Sequence, residues 1–458
     1  MVQTVDPVEV ATLPLAPRNP LPYRQRFKAT RRFHTGCETL RDAGGPVTRH
    51  KLAPTWLLPE IVVTTSPQGV HDVLDRPNTF LEKKLPFYDE QQNLIGGNLF
   101  NLAHDEWRPR RRAIQQVFTK THVARYADNM AEAAESSFRS GDSTATVDLD
   151  AMCHSLTLRA LGRSVFGIDL DEHTDEFAAS LTTAMGYVTN RSTLPFKAPA
   201  WMPTPARRQA RTAAAKLHEF VGNILRECRN DPARDAPLVR ALIEAEDPAT
   251  GKPLSDREIR NELIIFMFAG HDTTSTTLTY SLWALGRDPE IQDRVANEIA
   301  RIGTRRPTPD DVPELTYTVQ VLHEALRLCP PAPILSRQSV ADVDVDGFRV
   351  AAGTVTLVGI YAMHRDPNLW KDPLAFDPTR FAPENADDRD RWQYLPFGGG
   401  PRGCIGSHFA MLEATLALAT IIGQHRIEAL DDDFPVDLPF TMIPKGPIPA
   451  RVSNRHPM

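Results

Sequence analysis

Several features that announce common classes of protein are missing from this chain. It has no run of about 18 apolar residues, the length a membrane-spanning helix needs. Its N-terminus carries Pro7, Pro14, Pro17, Pro20 and Pro22 but no basic segment followed by an apolar one, so neither a leader nor a membrane anchor is expected. Cysteine is scarce: Cys37, Cys153, Cys228, Cys329 and Cys404 are odd in number, scattered, and form no C-x-x-C pair. That argues against a disulfide framework or a structural zinc site and fits a soluble protein of the reducing cytoplasm. No G-x-G-x-x-G follows a strand, and no cysteines cluster, so the chain offers no flavin or iron–sulfur site of its own. The net charge of -6 makes nucleic acid an unexpected partner. A Gly/Ser linker, a long charge block and an internal repeat are all lacking. Length alone would suggest about three domains, but these absences favour a proline-rich arm over residues 1–22 and a single domain over 23–458. The apolar content of 41% is enough for a large core.

What is present is concentrated in ten residues, Phe397 to Gly406, reading FGGGPRGCIG. Glycines allow positive φ and a close backbone approach to a planar group. Amide N–H groups in such a turn can stabilise a thiolate at Cys404. The apolar run after Phe409 places the cysteine just before a helix, whose positive end favours the same charge. A lone unpaired cysteine is more often a small core residue; the company Cys404 keeps decides otherwise.

Along the chain, Val47–Leu52 and Glu60–Thr65 have the β-branched enrichment of paired strands. Glu106–Glu135 reads as helix with a break near Lys120, and Asp150–Phe166 as a further helix. Pro195, Pro199, Pro203 and Pro205 mark a loop before a helix from Ala206 to Arg229. Ser255 and Glu258 form a capping box for a helix reaching Arg287. Its segment from Leu263 to Gly270 is apolar on all sides and therefore buried. Asp288 and Pro289 start the next helix; Thr316–Cys329 is another, stopped by Pro330. Alternation around Asp346-Gly347 predicts a hairpin, and Val355–Ile360 a strand. The order is mainly helix, with strands clustered toward the two ends.

The spacing F-x-x-G-x-R-x-C-x-G is met by Phe397, Gly400, Arg402, Cys404 and Gly406. It resembles the haem-binding loop of the cytochrome P-450 superfamily, of the soluble bacterial type, over roughly residues 20 to 455. The resemblance implies a mainly α fold with a small β region. Haem b would be buried between a long central helix and the loop, with Cys404 as axial ligand of the iron. Phe397, Gly398, Gly406 and Ala269 would contact it. Trp107-x-x-x-Arg111, with Arg337 and Arg402, would hold its propionates. The central helix carries Ala269-Gly270-His271-Asp272-Thr273; by resemblance Thr273 hydrogen-bonds oxygen at the haem and Asp272 relays protons. Gly270 beside this polar pair suggests a helix that opens locally. Taken alone, Thr273 would more simply back-bond to a carbonyl one turn earlier.

Glu324-x-x-Arg327 with Arg380 would form a buried network fixing the loop; the family's common P-E-R-F reads P-T-R-F at Pro378–Phe381. Ordinary hydrogen-bonding roles are expected for His271, His364 and His408. Phe268, Ala269, Ala332, Ile334 and Phe440 would line an apolar substrate pocket covered by loops near Leu85–Phe100 and Leu181–Trp201, where Lys83, Lys84 and Arg191 are the cations available for a carboxylate. The expected activity is a monooxygenase inserting one atom of dioxygen into an apolar small molecule such as a fatty acid, terpenoid, steroid or polyketide. Electrons would come from a separate ferredoxin and its reductase, or a flavodoxin-type carrier. The basic run Arg108, Arg110, Arg111 and Arg112 is a solvated face that would attract such an acidic carrier, and a monomer is expected. The alternatives are a peroxide-using oxygenase or an isomerase on the same fold, and a non-catalytic haem protein that binds a ligand.

Overall fold

A computed structural model describes residues 7–75, 81–138, 144–170, 174–194, 197–199, 201–246, 251–386 and 389–455. The first six residues of the N-terminal arm, and Pro195 in the proline-marked loop, lie outside them. The rest of the arm is more ordered than expected. Pro7–Thr12 is a short helix, and the stretch after it is tied down by bridges from Leu15 to Arg349 and from Arg18 to Arg49. Asn19 anchors it further, its side-chain amide donating to the Leu40 carbonyl at 2.8 Å.

The strands near the N-terminus pair with strands from the C-terminal half. Val47–His50 lies antiparallel to Ile61–Thr64, which runs parallel to Val355–Val358; Leu335–Ser339 and Leu81–Glu82 complete the sheet. Arg337 enters the interior from this sheet, opposite Thr356. A second sheet places the last strand, Pro449–Asn454, between Thr144–Asp148 and His425–Ala429. Asp346 and Gly347 take φ of 52° and 78° at the tip of the expected hairpin, the left-handed pair a two-residue turn demands.

Helices make up most of the remainder. The central helix, Asp256–Arg287, begins at the capping box: the Ser255 hydroxyl accepts from the Glu258 N–H, and the Glu258 carboxylate accepts from the Ser255 N–H. It runs unbroken to its cap at Asp288, with no local opening at Gly270. Gly270 serves packing instead, since a Cβ there would lie 2.9 Å from Leu161 on the neighbouring helix Leu149–Leu161. Pro205, read as part of a loop, is the first residue of the helix Pro205–Asn230, where its missing N–H costs nothing. Pro86–Ile95 and Thr174–Thr193 are also helices where covering loops were expected. A large apolar core joins the central helix to the helices around it and to Phe409 on the helix Ser407–Gln424. Among the described residues no helix is long and apolar enough to cross a membrane.

Candidate functional site

The cysteine loop is built by backbone constraints. The Cys404 N–H donates to the Phe397 carbonyl at 2.8 Å, and the Gly403 N–H to Gly400 at 3.0 Å. Gly398 and Gly400 have φ of 69° and 65°. At Gly400 a Cβ would also fall 2.0 Å from the Leu74 carbonyl oxygen, so only glycine fits there. Cys404 is exposed, yet protein surrounds it at longer range. The two observations agree if the sulfur faces an interior space. That enclosure pushes its thiol pKa up, against the opposing pull of the Gly406 N–H and Arg111. Cys37, Cys153, Cys228 and Cys329 are buried free thiols.

The structure brings Glu324, Arg327 and Arg380 together. Both Arg327 and Glu324 are fully buried, and the guanidinium donates twice to the carboxylate at 2.7 Å. Arg380 adds a contact at 3.3 Å. Arg327 also donates to the carbonyls of His364 and Pro373, at 2.7 and 2.6 Å, and Glu324 accepts from the Asp377 N–H at 2.9 Å. Charge and hydrogen-bonding capacity are thus satisfied within the network. His364 joins it through its carbonyl and accepts from the Leu395 N–H through its ring; His408 is exposed on the surface.

A second charge cluster lies above the loop and is not balanced. Arg111 donates to the Gly403 carbonyl at 2.9 Å. Arg402 stacks over the Trp107 ring at 4.3 Å and donates to the Leu102 carbonyl at 3.0 Å. Arg337 is buried, its pKa lowered by desolvation. Lys83 donates to the Phe100 carbonyl at 3.1 Å, and its pKa is held well below the ordinary lysine value by burial and then by Arg337, Arg402 and Arg111. Desolvation and Arg337 pull Arg402 down to about 10. No ion pair joins any of these four cations to a carboxylate among the described residues; Glu82 acts on Arg402 only from farther away. One buried Arg402 nitrogen, Nη1, has no partner at all. Unpaired buried cations are costly, and an orphaned guanidinium N–H aimed into the same region fits a dianionic group such as the two propionates of a haem.

On the central helix, Ala269 is exposed although Phe268 and His271 beside it are buried, so the helix too borders interior space. The Thr273 hydroxyl donates to the Ala269 carbonyl at 2.7 Å, the back-bonded arrangement, and its oxygen keeps acceptor capacity. Asp272 lies 2.9 Å from Nδ1 of His271. Phe268 and Phe440 pack with ring centroids 4.8 Å apart, and Phe440 in turn meets Phe87 at 5.2 Å and Phe100 at 5.4 Å. Ala332 is half-buried. Ile334 is not with that aromatic group; it packs against the core that includes Leu40 and Val63. Arg191 is neutralised by Glu90 at 2.8 Å, and Lys83 belongs to the cation cluster, so neither is free for a substrate carboxylate.

The arginine run, expected to be a solvated face apart from Arg111's role toward the propionates, is divided by the helix His104–Ile114. Arg110 turns inward to Glu262 and Glu258, both at 3.0 Å, whereas Arg108 and Arg112 face solvent. Sequence reasoning missed Lys83 as a member of the cation cluster, Phe87 and Phe100 as partners of Phe440, and His154 beside His271. The helical spacing of Arg110 from Arg111, about 100° per residue, was the one signal that could have separated their directions.

Comparison with known proteins follows the same line. The family model Cytochrome P450 matches residues 15–453. Cyclooctat-9-en-7-ol 5-monooxygenase of Streptomyces melanosporofaciens is 34% identical over 363 residues, 79% of this chain and 79% of that protein. Pentalenene oxygenase of Streptomyces avermitilis is 32% identical over 396 residues, 85% of this chain and 86% of that one. The haem domain of a cytochrome P450DA mutant superposes with a TM-score of 0.82 at 27% identity, covering 97% of this chain and 98% of the other.

Proposed function

The chain belongs to the cytochrome P450 family and is a monooxygenase that uses haem b; from that premise we propose the roles of its residues and the class of its substrate. Cys404 would ligate the haem iron as a thiolate, and Lys83, Arg111, Arg337 and Arg402, with Trp107, would hold the two propionates. Bound there, haem b would supply the redox chemistry for activating dioxygen. The chain's own work is to orient substrate, exclude water and deliver protons.

Thr273 accepts and passes a hydrogen bond at the oxygen-binding face, and Asp272 supplies the proton. Glu324, Arg327 and Arg380 fix the loop. Phe87, Phe100, Phe268 and Phe440 present an apolar, aromatic wall that suits a cyclic hydrocarbon-like molecule of terpenoid type. Two relatives named for an alkenol and an alkene support that class. The exposed Arg108 and Arg112 receive an acidic ferredoxin, reduced by its reductase, or a flavodoxin-type carrier. Five free thiols support a reducing compartment, the cytoplasm.

The observation that carries the reading is a set of buried and half-buried cations without acidic partners among the described residues, beside an exposed cysteine. The test is turnover of the purified holoenzyme with NADH, ferredoxin and ferredoxin reductase on a panel of cyclic alkenes, alkenols and fatty acids. A spin-state shift of the Soret band and one added oxygen atom, labelled from dioxygen, are expected for the cyclic alkenes or alkenols. Oxygen insertion into fatty acids alone would overturn the substrate class, and product formed only with added peroxide would overturn the reaction.

A further inference from the structure

Glu262 sits on the central helix, fully buried, and its carboxylate is divided between two elements. Oε1 accepts from Nη1 of Arg110 at 3.0 Å, while Oε2 accepts from the Leu99 N–H at 2.9 Å. Arg110 also donates to Glu258, one turn earlier on the same helix, at 3.0 Å. The guanidinium is thus held by two carboxylates, and it fixes Glu262 with its second oxygen turned to Leu99. A pairing that served the fold alone would need only the Arg110 contact.

Leu99 belongs to the turn Asn98–Leu102, which closes largely on itself. The Asn98 N–H donates to the Asn101 side chain at 2.9 Å, and the Phe100 N–H to the Asn98 side chain at 3.1 Å. The N–H groups of Asn101 and Leu102 donate to the Asn98 carbonyl at 3.0 and 2.9 Å. Of these five amides, only that of Leu99 is met from outside the turn. A buried amide left without an acceptor is costly, so the turn is held wherever Glu262 stands. Asn261 adds a second tie from the central helix, donating to the Gly97 carbonyl at 3.2 Å. The fit is close: at Gly96, φ 90°, a Cβ would lie 2.1 Å from the Asn261 amide nitrogen. The carbonyls of Phe100 and Leu102 accept from Lys83 and Arg402, which links the same turn to the cation cluster.

The turn carries Phe100, whose ring centroid is 5.4 Å from that of Phe440 and 5.6 Å from that of Tyr88. Phe440 in turn meets Phe268, which lies six residues beyond Glu262, about 9 Å further along the helix axis. Resting on the reading of these rings as the substrate wall, we infer that Glu262 is a positioning residue for substrate. Through the Leu99 N–H it registers Phe100 against Phe268 and Phe440, and so sets the shape of the wall that a cyclic ligand meets. Its carboxylate oxygens are engaged by Arg110 and Leu99, so it acts through Phe100 and not by touching the ligand.

The test uses the ferric holoenzyme and two probes that bind haem iron through nitrogen, imidazole and 4-phenylimidazole. Only the second carries a ring to meet the wall, and the midpoint of the Soret shift reads binding without turnover. Glu262→Met removes the acceptor and leaves Arg110 its pairing with Glu258. It is expected to weaken 4-phenylimidazole about fivefold, the worth of one aromatic contact, and to leave imidazole unchanged. Glu262→Gln, whose amide oxygen can accept from Leu99, should restore most of the loss. In the background of Phe100→Ala, Glu262→Met should add nothing. Losses that add, a glutamine variant no better than methionine, or a loss shared equally by imidazole overturn the positioning role. Hydrogen exchange of the wild-type holoenzyme needs no variant: the Leu99 amide is expected to be protected, and exchange at the rate of an open loop overturns the tie. If Phe100→Ala leaves 4-phenylimidazole unmoved, the wall reading fails and the inference with it. If Phe100→Ala weakens it and Glu262→Met does not, the inference fails alone.

Discussion

Two groups of charges in this protein are built on opposite plans. Glu324, Arg327 and Arg380 satisfy one another and the carbonyls around them. Lys83, Arg111, Arg337 and Arg402 are drawn together with no carboxylate among the described residues in ion-pair contact. The first group completes itself and needs nothing from outside, as a scaffold would. The second is electrostatically incomplete, which is costly unless an anion arrives. Burial alone does not distinguish the two, since Arg327 and Arg337 are both buried; the balance of charge does.

The comparison breaks most sharply at Glu324. Glu324→Gln strips charge from a fully buried pair and should lower stability by about 3–5 kcal/mol, with poor haem retention. Thermal melting and haem content after purification check it; a wild-type melting temperature with full haem would erase the distinction. Arg337→Met should act with the opposite sign on the haem-free protein. Removing a desolvated, unpaired cation should stabilise it by about 1 kcal/mol, while haem dissociates about tenfold faster from the holoenzyme. A variant less stable in both forms would make Arg337 scaffold.

Lys83 gives a pH signature of the same asymmetry. Its folded pKa lies well below that of the unfolded chain. The unfolded state therefore binds more protons, and stability of the haem-free protein should rise as pH climbs toward the ordinary lysine value. An anion seated among the cations returns the proton to Lys83, so the holoenzyme should lack this rise. Calorimetry across pH 7 to about 10 compares the two forms; equal slopes would contradict the seating of an anion among these cations. The smallest effect belongs to the surface. Arg108→Glu or Arg112→Glu should slow reduction by the carrier about threefold and weaken its salt dependence, a change that stopped-flow reduction at two ionic strengths resolves.

Much of the architecture was legible because its determinants are local. The Ser255 capping box, the Asp346-Gly347 turn, the proline at the start of the helix after Asp288 and the glycine loop before Cys404 are each written within a few residues. Pro86–Ile95 was misread as loop because its polar residues, Asp89 to Asn93, break the apolar periodicity that identifies a buried helix. The site divides the same way. Cys404, Thr273 and the Glu324 network stand in recognisable spacings. The approach of Lys83 to Arg402 and the meeting of His154 with His271 across 117 positions depend on tertiary packing, which no local pattern encodes. The back-bond expected of Thr273 taken alone is present, and the hydroxyl oxygen keeps acceptor capacity beside it.

The central claim is that Cys404, beside the unpaired cations, holds the haem iron as a thiolate. The carbon monoxide difference spectrum of the reduced protein, wild type against Cys404→Ser, tests it most directly. A thiolate-type Soret band in the wild type, lost in a variant that still binds haem, is the predicted result. A band that survives the substitution, or that never appears in the haem-loaded wild type, would contradict it.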